Sequence, residues 1–249
     1  ADNEEPKLVR IAPTTNEARQ VWERTLGIAK ALGPDGWVLV GGLMVQLHGF
    51  EREVAVRPTA DVDLLADARR RPSTTTKLAG ILEEMGTIAE SGALNEGIAF
   101  RWDVGGVVVE IFGPDGLKNR AATIEGFETF SIPGGTQALR RAETVAVQLD
   151  ESEPVPVNRP DLLGAILIKA RIAARKRKKY ESDRQDLVRL LTFVDNPRQL
   201  AEQSDLSRTE KGWLRRVKPE INPDDPQLST LFNVGEVELA RQAVDLLIA

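Results

Sequence analysis

Apolar positions recur along this chain with two different periods. Up to about residue 150, short apolar runs bounded by glycine, proline or charged residues predict strands, and apolar residues three or four apart predict helices. The predicted strands are 37–40, 61–66, 99–102, 107–112, 122–132 and 144–149, and the predicted helices are 16–32, 43–47, 72–85 and 136–142. Residues 1–13 show neither pattern and are predicted to form a loose arm. This mixture predicts an α/β (α+β) sheet domain.

The polar, proline-rich segment 150–160 is the predicted boundary between two domains. Strand patterns fade after it, and helical spacing takes over. The predicted helices of this part are 160–178, 182–194, 197–203, 207–217 and 235–248. We therefore predict a sheet domain over residues 1–155 and a helical domain over residues 156–249.

Composition removes several classes of chemistry. The chain has no cysteine and a single histidine, His48, which excludes disulfides, thiolate metal sites and histidine-clustered zinc sites. No apolar run reaches the roughly 20 residues of a membrane span, and no signal-peptide pattern opens the chain, so we expect a cytoplasmic protein without a membrane partner. The net charge of −5 argues against a general nucleic-acid coat protein.

Two acids one residue apart, Asp61 and Asp63, are the most informative polar positions. On a strand both carboxylates point to the same face, because side chains alternate with a period of two. Such a pair can hold Mg²⁺, which prefers oxygen ligands and keeps substrate phosphates in its shell. A lone pair of this kind is a weak signal, and the alternative is two solvated acids at a strand edge.

A glycine pair, Gly41 and Gly42, follows the apolar run 37–40. Glycines let a backbone turn come close to phosphates, although the alternative for the pair alone is an ordinary tight turn. The order of strand, glycine pair, short helix and acid-bearing strand is the layout that a nucleotidyl-transfer site needs.

A second polar group lies on two predicted helices. Lys169 lies on or beside an apolar stripe, where a lysine is costly unless it meets an anion such as a triphosphate. Asp183 and Asp186 lead into the buried face of the next helix. The alternative is an inter-helix salt bridge between Lys169 and one of these acids, or acids placed favourably at a helix N-terminus.

Glu110, inside the apolar strand 107–112, is the candidate for a third metal-facing carboxylate, and the alternative is an outward residue on the solvent face. The basic residues of 171–179 could meet a triphosphate or an RNA backbone, or form a solvated helix end. Arg57 could orient phosphate or brace the strand that carries the acids.

The run from Gly41 to Leu64, with Arg57-Pro58-Thr59-Ala60-Asp61-Val62-Asp63 at its centre, resembles the nucleotidyltransferase signature of the AbiEii toxin family. That family includes the MenT-like toxins and belongs to the polymerase-β-like nucleotidyltransferase superfamily. Lys169 and the run Asp183-Arg-Gln-Asp186-Leu187 resemble its second signature. The resemblance covers most of residues 37–194.

The resemblance implies a metal-dependent nucleotidyltransferase that moves a nucleoside monophosphate from an NTP to the acceptor end of tRNA, as the toxin of a toxin–antitoxin pair. It implies Mg²⁺ on Asp61, Asp63 and Glu110, and nucleotide binding by Gly41, Gly42, Arg57, Thr59 and Lys169. Asp183 and Asp186 would act with Lys169 in catalysis, and a cognate antitoxin would be a partner. Two alternatives stay open: transfer to a small molecule such as an antibiotic, and a non-catalytic regulatory module.

Overall fold

The computed structural model describes residues 5–88, 98, 100–117, 127–175 and 180–249. The chain divides into two compact units, Ala1–Asp161 and Leu162–Ala249. Both strands and helices form the first unit, and helices form the described part of the second. The prediction of an α/β (α+β) fold is therefore confirmed.

The first unit begins and ends with strands. Its strands are β1 (Lys7–Ile11), β2 (Trp37–Val40), β3 (Asp61–Ala66), β4 (Thr87–Ile88), β5 (Arg101–Val104), β6 (Val107–Pro114), β7 (Phe130–Ile132), β8 (Ala142–Leu149) and β9 (Val155–Pro160). Its helices are α1 (Asn16–Leu32), α2 (Gly41–Phe50), α3 (Thr74–Met85) and α4 (Gly135–Arg140). The predicted strand 122–132 is present at its end as β7, and its residues 122–126 lie outside the described part of the chain.

The larger sheet has the order β2-β3-β6-β5-β4, with β7 paired to the far end of β6. β3 is antiparallel to β2 and parallel to β6, and β5 and β6 form the predicted hairpin. In this register Asp63 lies between Val40 on one neighbour and Glu110 on the other. The register therefore sets the first acid-bearing strand beside both the glycine turn and the third acid.

The smaller sheet, β1-β8-β9, corrects two predictions. Residues 7–11 are not a loose arm: they form β1, with Val9 and Ile11 buried and the intervening Arg10 exposed, and pair in parallel with β8. The predicted boundary segment 150–160 contains β9, a strand that the sequence pattern does not predict, and β9 is antiparallel to β8. Pro156 is tolerated there because β9 is an edge strand of this sheet, where a missing N–H costs little.

Alternation along β3 explains how the first unit supports its acids. Val62 and Leu64 are buried in the hydrophobic core, whereas Asp61 and Asp63 on the opposite face are partly exposed. The core also contains the tryptophans Trp22, Trp37 and Trp102. A strand with one buried face holds its register firmly, because a slip of one residue would bury the acids.

The second unit contains α5 (Leu162–Ala173), α6 (Tyr180–Thr192), α7 (Pro197–Ser204), α8 (Arg208–Val217), a short 3₁₀ helix (Lys218–Glu220) and α9 (Val234–Ile248). α8 and α9 both begin with a capping box, formed by Ser207 with Glu210 and by Asn233 with Glu236. These reciprocal bonds satisfy backbone N–H groups that the first helical turn leaves open. Of the predicted basic run, residues 176–179 lie outside the described residues. Within the described ranges, no helix combines the length and apolarity that crossing a membrane requires.

Candidate functional site

Asp61 and Asp63 occupy the start of β3, on the face of the strand that the core does not cover. Their spacing places both carboxylates on that one face. Buried neighbours on either side of Asp63 in the sequence, Val62 and Leu64, hold the strand in place beneath them. The structure thus presents the acid pair as predicted, on a rigid support.

Helix α2 begins beside Asp63. The chain leaves β2 at Val40, which pairs with Asp63, and enters the helix at Gly41 with a φ of +68°. A Cβ atom at Gly41 would overlap the Asp63 carboxylate. Glycine is therefore required for two reasons, since its φ is unfavourable for other residues and its Cα lies against the carboxylate.

Gly42 contacts the segment that leads into β3. A Cβ atom at Gly42 would lie 2.8 Å from the Cβ of Thr59, inside any normal contact distance. The N-cap residue Val40 provides no side-chain hydrogen bond to the first turn of α2. Backbone N–H groups of such a turn point toward an anion, and the helix dipole favours negative charge there. The structure brings together Gly41, Gly42, Thr59 and Asp63.

Arg57 forms hydrogen bonds near this turn with both its backbone and its side chain. Its guanidinium makes a long contact of 3.4 Å to the carbonyl of Pro58. Its own carbonyl accepts a hydrogen bond of 3.1 Å from the Gln46 side chain, a buried amide on α2. No sequence motif identifies Gln46, although a lone amide in the apolar helix 41–50 is a signal for it.

Glu110 lies next to Asp63 in the register, but its carboxylate is occupied. Arg101 on β5 donates from its Nε at 2.8 Å and also from its Nη2 to the same carboxylate oxygen. In the described part of the chain, no three acids or histidines lie close enough to hold one metal ion. Glu110 is therefore part of a cross-strand ion pair, and the predicted set of three carboxylate ligands is not formed.

Lys169, Asp183 and Asp186 form an ion cluster within the second unit, in which Lys169 and Asp186 are buried and Asp183 is partly exposed. The Lys169 ammonium lies 2.8 Å from a carboxylate oxygen of each acid. Burial would lower the pKa of Lys169, but the charges of Asp186 and Asp183 outweigh it and raise the pKa above its usual value. Of the readings from sequence, this arrangement matches the inter-helix salt bridge, with both acids rather than one.

A second buried polar cluster fixes the C-terminal end of α2 to the smaller sheet. His48 donates from Nε2 to the carbonyl of Pro160 at 3.1 Å, and burial, with the charge of Arg159, lowers its pKa to about 3. Burial alone would raise the pKa of Glu51, but hydrogen bonds and charge from Lys7 and Arg159 lower it to about 2. His48 is thus neutral and structural.

Comparison with known proteins finds matches at low identity. A protein named GTPase Der from Parvibaculum lavamentivorans is 27% identical over 177 residues, which cover 70% of this chain and 34% of that protein. GTPase Der of Rhizobium johnstonii is 29% identical over 98 residues, covering 39% and 21%, and that of Mesorhizobium japonicum 33% over 86 residues, covering 34% and 18%. The chain spans about a third or less of the length of these curated relatives. No family model matches the chain, and no solved structure matches it.

These relatives correct the expected function. They are named as GTPases, which cleave GTP by hydrolysis, whereas the expectation was transfer of a nucleoside monophosphate to tRNA by a toxin. The same names give no support to transfer to a small molecule such as an antibiotic. Nothing in the comparisons supports tRNA or an antitoxin as a partner, and nothing in them tests the resemblance to the AbiEii family.

Proposed function

We propose that this chain binds a nucleoside triphosphate with Mg²⁺ at the start of α2 and hydrolyses it, with GTP as the first nucleotide to test. The proposal combines the geometry of the first unit with the names of the relatives. The observation that carries it is the contact between Gly41 and Asp63, which sets the positive end of a ten-residue helix beside a carboxylate pair.

Asp61 and Asp63 fit the requirements of a bound Mg²⁺. This ion is usually held by one or two protein carboxylates, with substrate phosphates and water completing its shell. Two partly exposed carboxylates on one strand face supply such a donor set. A third acid is not needed, and Glu110 is paired with Arg101. When bound, the ion would offset the negative charge of the triphosphate as a phosphate bond breaks.

The residues around the acids would bind the phosphate oxygens. Backbone N–H groups at Gly41 and Gly42 would receive phosphate oxygens, and the Thr59 hydroxyl would donate to one of them. A water molecule attacks the terminal phosphorus and the bond to the bridging oxygen breaks. The products are a nucleoside diphosphate and inorganic phosphate, with the water's proton passing to a phosphate oxygen.

The sequence limits how such hydrolysis can occur. It contains no Gly-Lys pair, so the phosphate-binding loop Gly-x-x-x-x-Gly-Lys-[Ser/Thr] is absent from it. The ammonium that this loop would aim at the phosphates has no counterpart there. We therefore propose that the backbone N–H groups of the glycine turn, together with the Mg²⁺ that the acid pair would hold, offset the phosphate charge instead.

The test measures both products of the reaction. The protein is incubated with Mg²⁺ and either GTP or ATP, and inorganic phosphate and pyrophosphate are quantified separately. We expect phosphate release that Asp63→Asn lowers at least a hundredfold, because the substitution removes a metal-binding charge at nearly constant volume. Asp67→Asn, which changes an acid just beyond the far end of β3, is the matched control and should retain activity.

Two results would contradict the proposal. One is release of pyrophosphate in place of phosphate, and the other is equal activity in the unaltered protein and Asp63→Asn. Isothermal titration of the unaltered protein and of Asp63→Asn with a non-hydrolysable GTP analogue and Mg²⁺ measures nucleotide binding independently. We expect Asp63→Asn to lose the dependence of binding on Mg²⁺.

We also propose that the first unit is related in fold to the polymerase-β-like superfamily, of which the AbiEii family is a part. Support comes from the succession β2, glycine turn, α2 and β3, with the acids at the start of β3. This proposal concerns the fold and not the reaction. An experimental structure of the first unit, superposed on that superfamily, would test it.

A further inference from the structure

The segment between α2 and β3 carries Thr59 and Arg57 but has no regular secondary structure over residues 54–60. A cavity of about 230 Å³ lies against it, lined mostly by apolar side chains. Its lining includes Trp22, Phe50, Val54, Val56 and Pro58. Because the cavity leaves part of this segment without packed neighbours, directed hydrogen bonds contribute more to its position than they would in a filled core.

Gln46 lines the same cavity and forms hydrogen bonds in two directions. Its Oε1 accepts from the Trp22 indole N–H on α1 at 3.0 Å, and its Nε2 donates to the carbonyl of Arg57 at 3.1 Å. Gln46 is buried and the Trp22 side chain is fully buried. An amide is suited to this task because it carries an acceptor and a donor on one rigid group.

We propose that Gln46 is a positioning residue for the candidate site, holding the segment 54–60 so that Thr59 stays against Gly42. The inference rests on the proposed function for its effect on activity. Trp22 belongs to the core, so the bond from its indole fixes the Gln46 amide, and the amide in turn fixes Arg57. Thr59 lies two residues after Arg57, and Asp61 lies four residues after it. A shift at Arg57 therefore passes directly to the site. Small misplacements of this kind can cost large factors in rate.

Gln46→Glu separates the two bonds. When ionised, the glutamate carboxylate still accepts from Trp22, but it cannot donate to the carbonyl of Arg57 and repels it instead. We expect amide hydrogen exchange in residues 54–60 to accelerate at least tenfold. We also expect kcat to fall about tenfold with little change in KM, since nucleotide contacts remain while their alignment is lost. Trp22→Phe, which removes the indole donor together with part of a fully buried ring, should change both quantities in the same direction.

Gln148→Glu is the matched control. Gln148 also donates from its side-chain amide to a backbone carbonyl, that of Ser152 at 2.9 Å, but it lies on β8 away from the segment. It should leave the exchange of 54–60 and kcat unchanged.

The outcomes separate this inference from the proposed function. A protein that hydrolyses no nucleotide overturns the proposed function, and the exchange data then decide the role of Gln46 by themselves. Unchanged exchange of 54–60 in Gln46→Glu overturns the positioning role. So does a variant whose melting temperature falls while kcat and KM stay at the unaltered values, because that pattern belongs to a purely structural residue.

Discussion

At the scale of single residues, the candidate site depends on two positions that carry no side chain. Gly41 permits the Asp63 carboxylate to lie against the first turn of α2, and Gly42 permits Thr59 to do the same. The sequence predicts both glycines as a phosphate-binding turn, but it does not show the partners that make them necessary. The contact with Asp63 depends on how β2 and β3 are paired.

Gly41→Ala tests this contact. The added methyl group meets the Asp63 carboxylate at a φ of +68°, so we expect loss of nucleotide hydrolysis and a fall of at least about 1 kcal/mol in the free energy of unfolding. Gly80→Ala on α3 is the control, because a methyl group there meets nothing within 4 Å. It should raise stability by about 0.5–1 kcal/mol, the propensity difference between the two residues. Urea denaturation of both variants measures the difference, and equal effects would show that Gly41 is an ordinary turn residue.

His48 makes stability depend on pH in a direction set by its burial. Its pKa is about 3 in the folded protein against 6.5 in the unfolded chain, so only the unfolded chain binds this proton as pH falls below 6.5. The free energy of unfolding should therefore decrease, by up to about 2 kcal/mol between pH 7 and pH 5.

His48→Gln isolates this contribution, because His48 is the single histidine of the chain and all carboxylates remain. The glutamine amide can still donate to the carbonyl of Pro160. We expect the stability difference between the two proteins to shrink or reverse as pH falls from 7 to 5. A difference that stays constant over this range would mean that His48 is protonated in both states or in neither.

At the scale of elements, pairs of helices and strands settled what single positions left open. The sequence predicts Lys169 on α5 either as a phosphate-binding cation or as a salt-bridge partner. The packing of α5 on α6 encloses it with Asp183 and Asp186, so its charge is balanced within the second unit. Likewise, the pairing of β5 with β6 gives Glu110 a partner in Arg101. Neither pairing could be read from the spacing of residues along one element.

Removing the charge of Lys169 should destabilise the second unit strongly. Lys169→Met removes the counter-ion that the buried Asp186 and the partly exposed Asp183 share, and breaking a buried pair costs about 3–5 kcal/mol. Lys211→Met is the control, since Lys211 is partly exposed and donates only to a backbone carbonyl. It should change stability by less than about 0.5 kcal/mol. Hydrogen exchange of residues 162–175 and 180–249 reports the effect, and equal protection in both variants would contradict a stabilising role.

At the scale of the whole molecule, net charge governs behaviour in solution more than fold. The chain carries a net charge of −5 at neutral pH and has an isoelectric point near 5.2. We expect its solubility to pass through a minimum near that pH, because self-repulsion between molecules vanishes there. Light scattering from pH 4 to pH 8 at constant ionic strength measures this. His48→Gln should show the same minimum, and a minimum above pH 6 would contradict the expectation.

Local patterns were sufficient for most elements of the fold. Apolar spacing predicted α1 and the alternation of β3, because each buries one face of a regular element. Local patterns were insufficient for β1 and β9. Each is a short strand whose apolar residues alternate over only five or six positions, and each exists because β8 provides a partner far away in the sequence or across a proline-containing turn.

The sequence by itself determined which residues could do chemistry: it has no cysteine, a single histidine, a glycine pair after a strand, and two acids that alternation places on one face. Tertiary structure decided which of them meet. It placed Asp63 against Gly41, gave Glu110 to Arg101 and Lys169 to two aspartates, and made Gln46 the link to the segment before β3. The physical reason is that the position of a charged or hydrogen-bonding group is set by its partner, and these partners come from other elements of the chain.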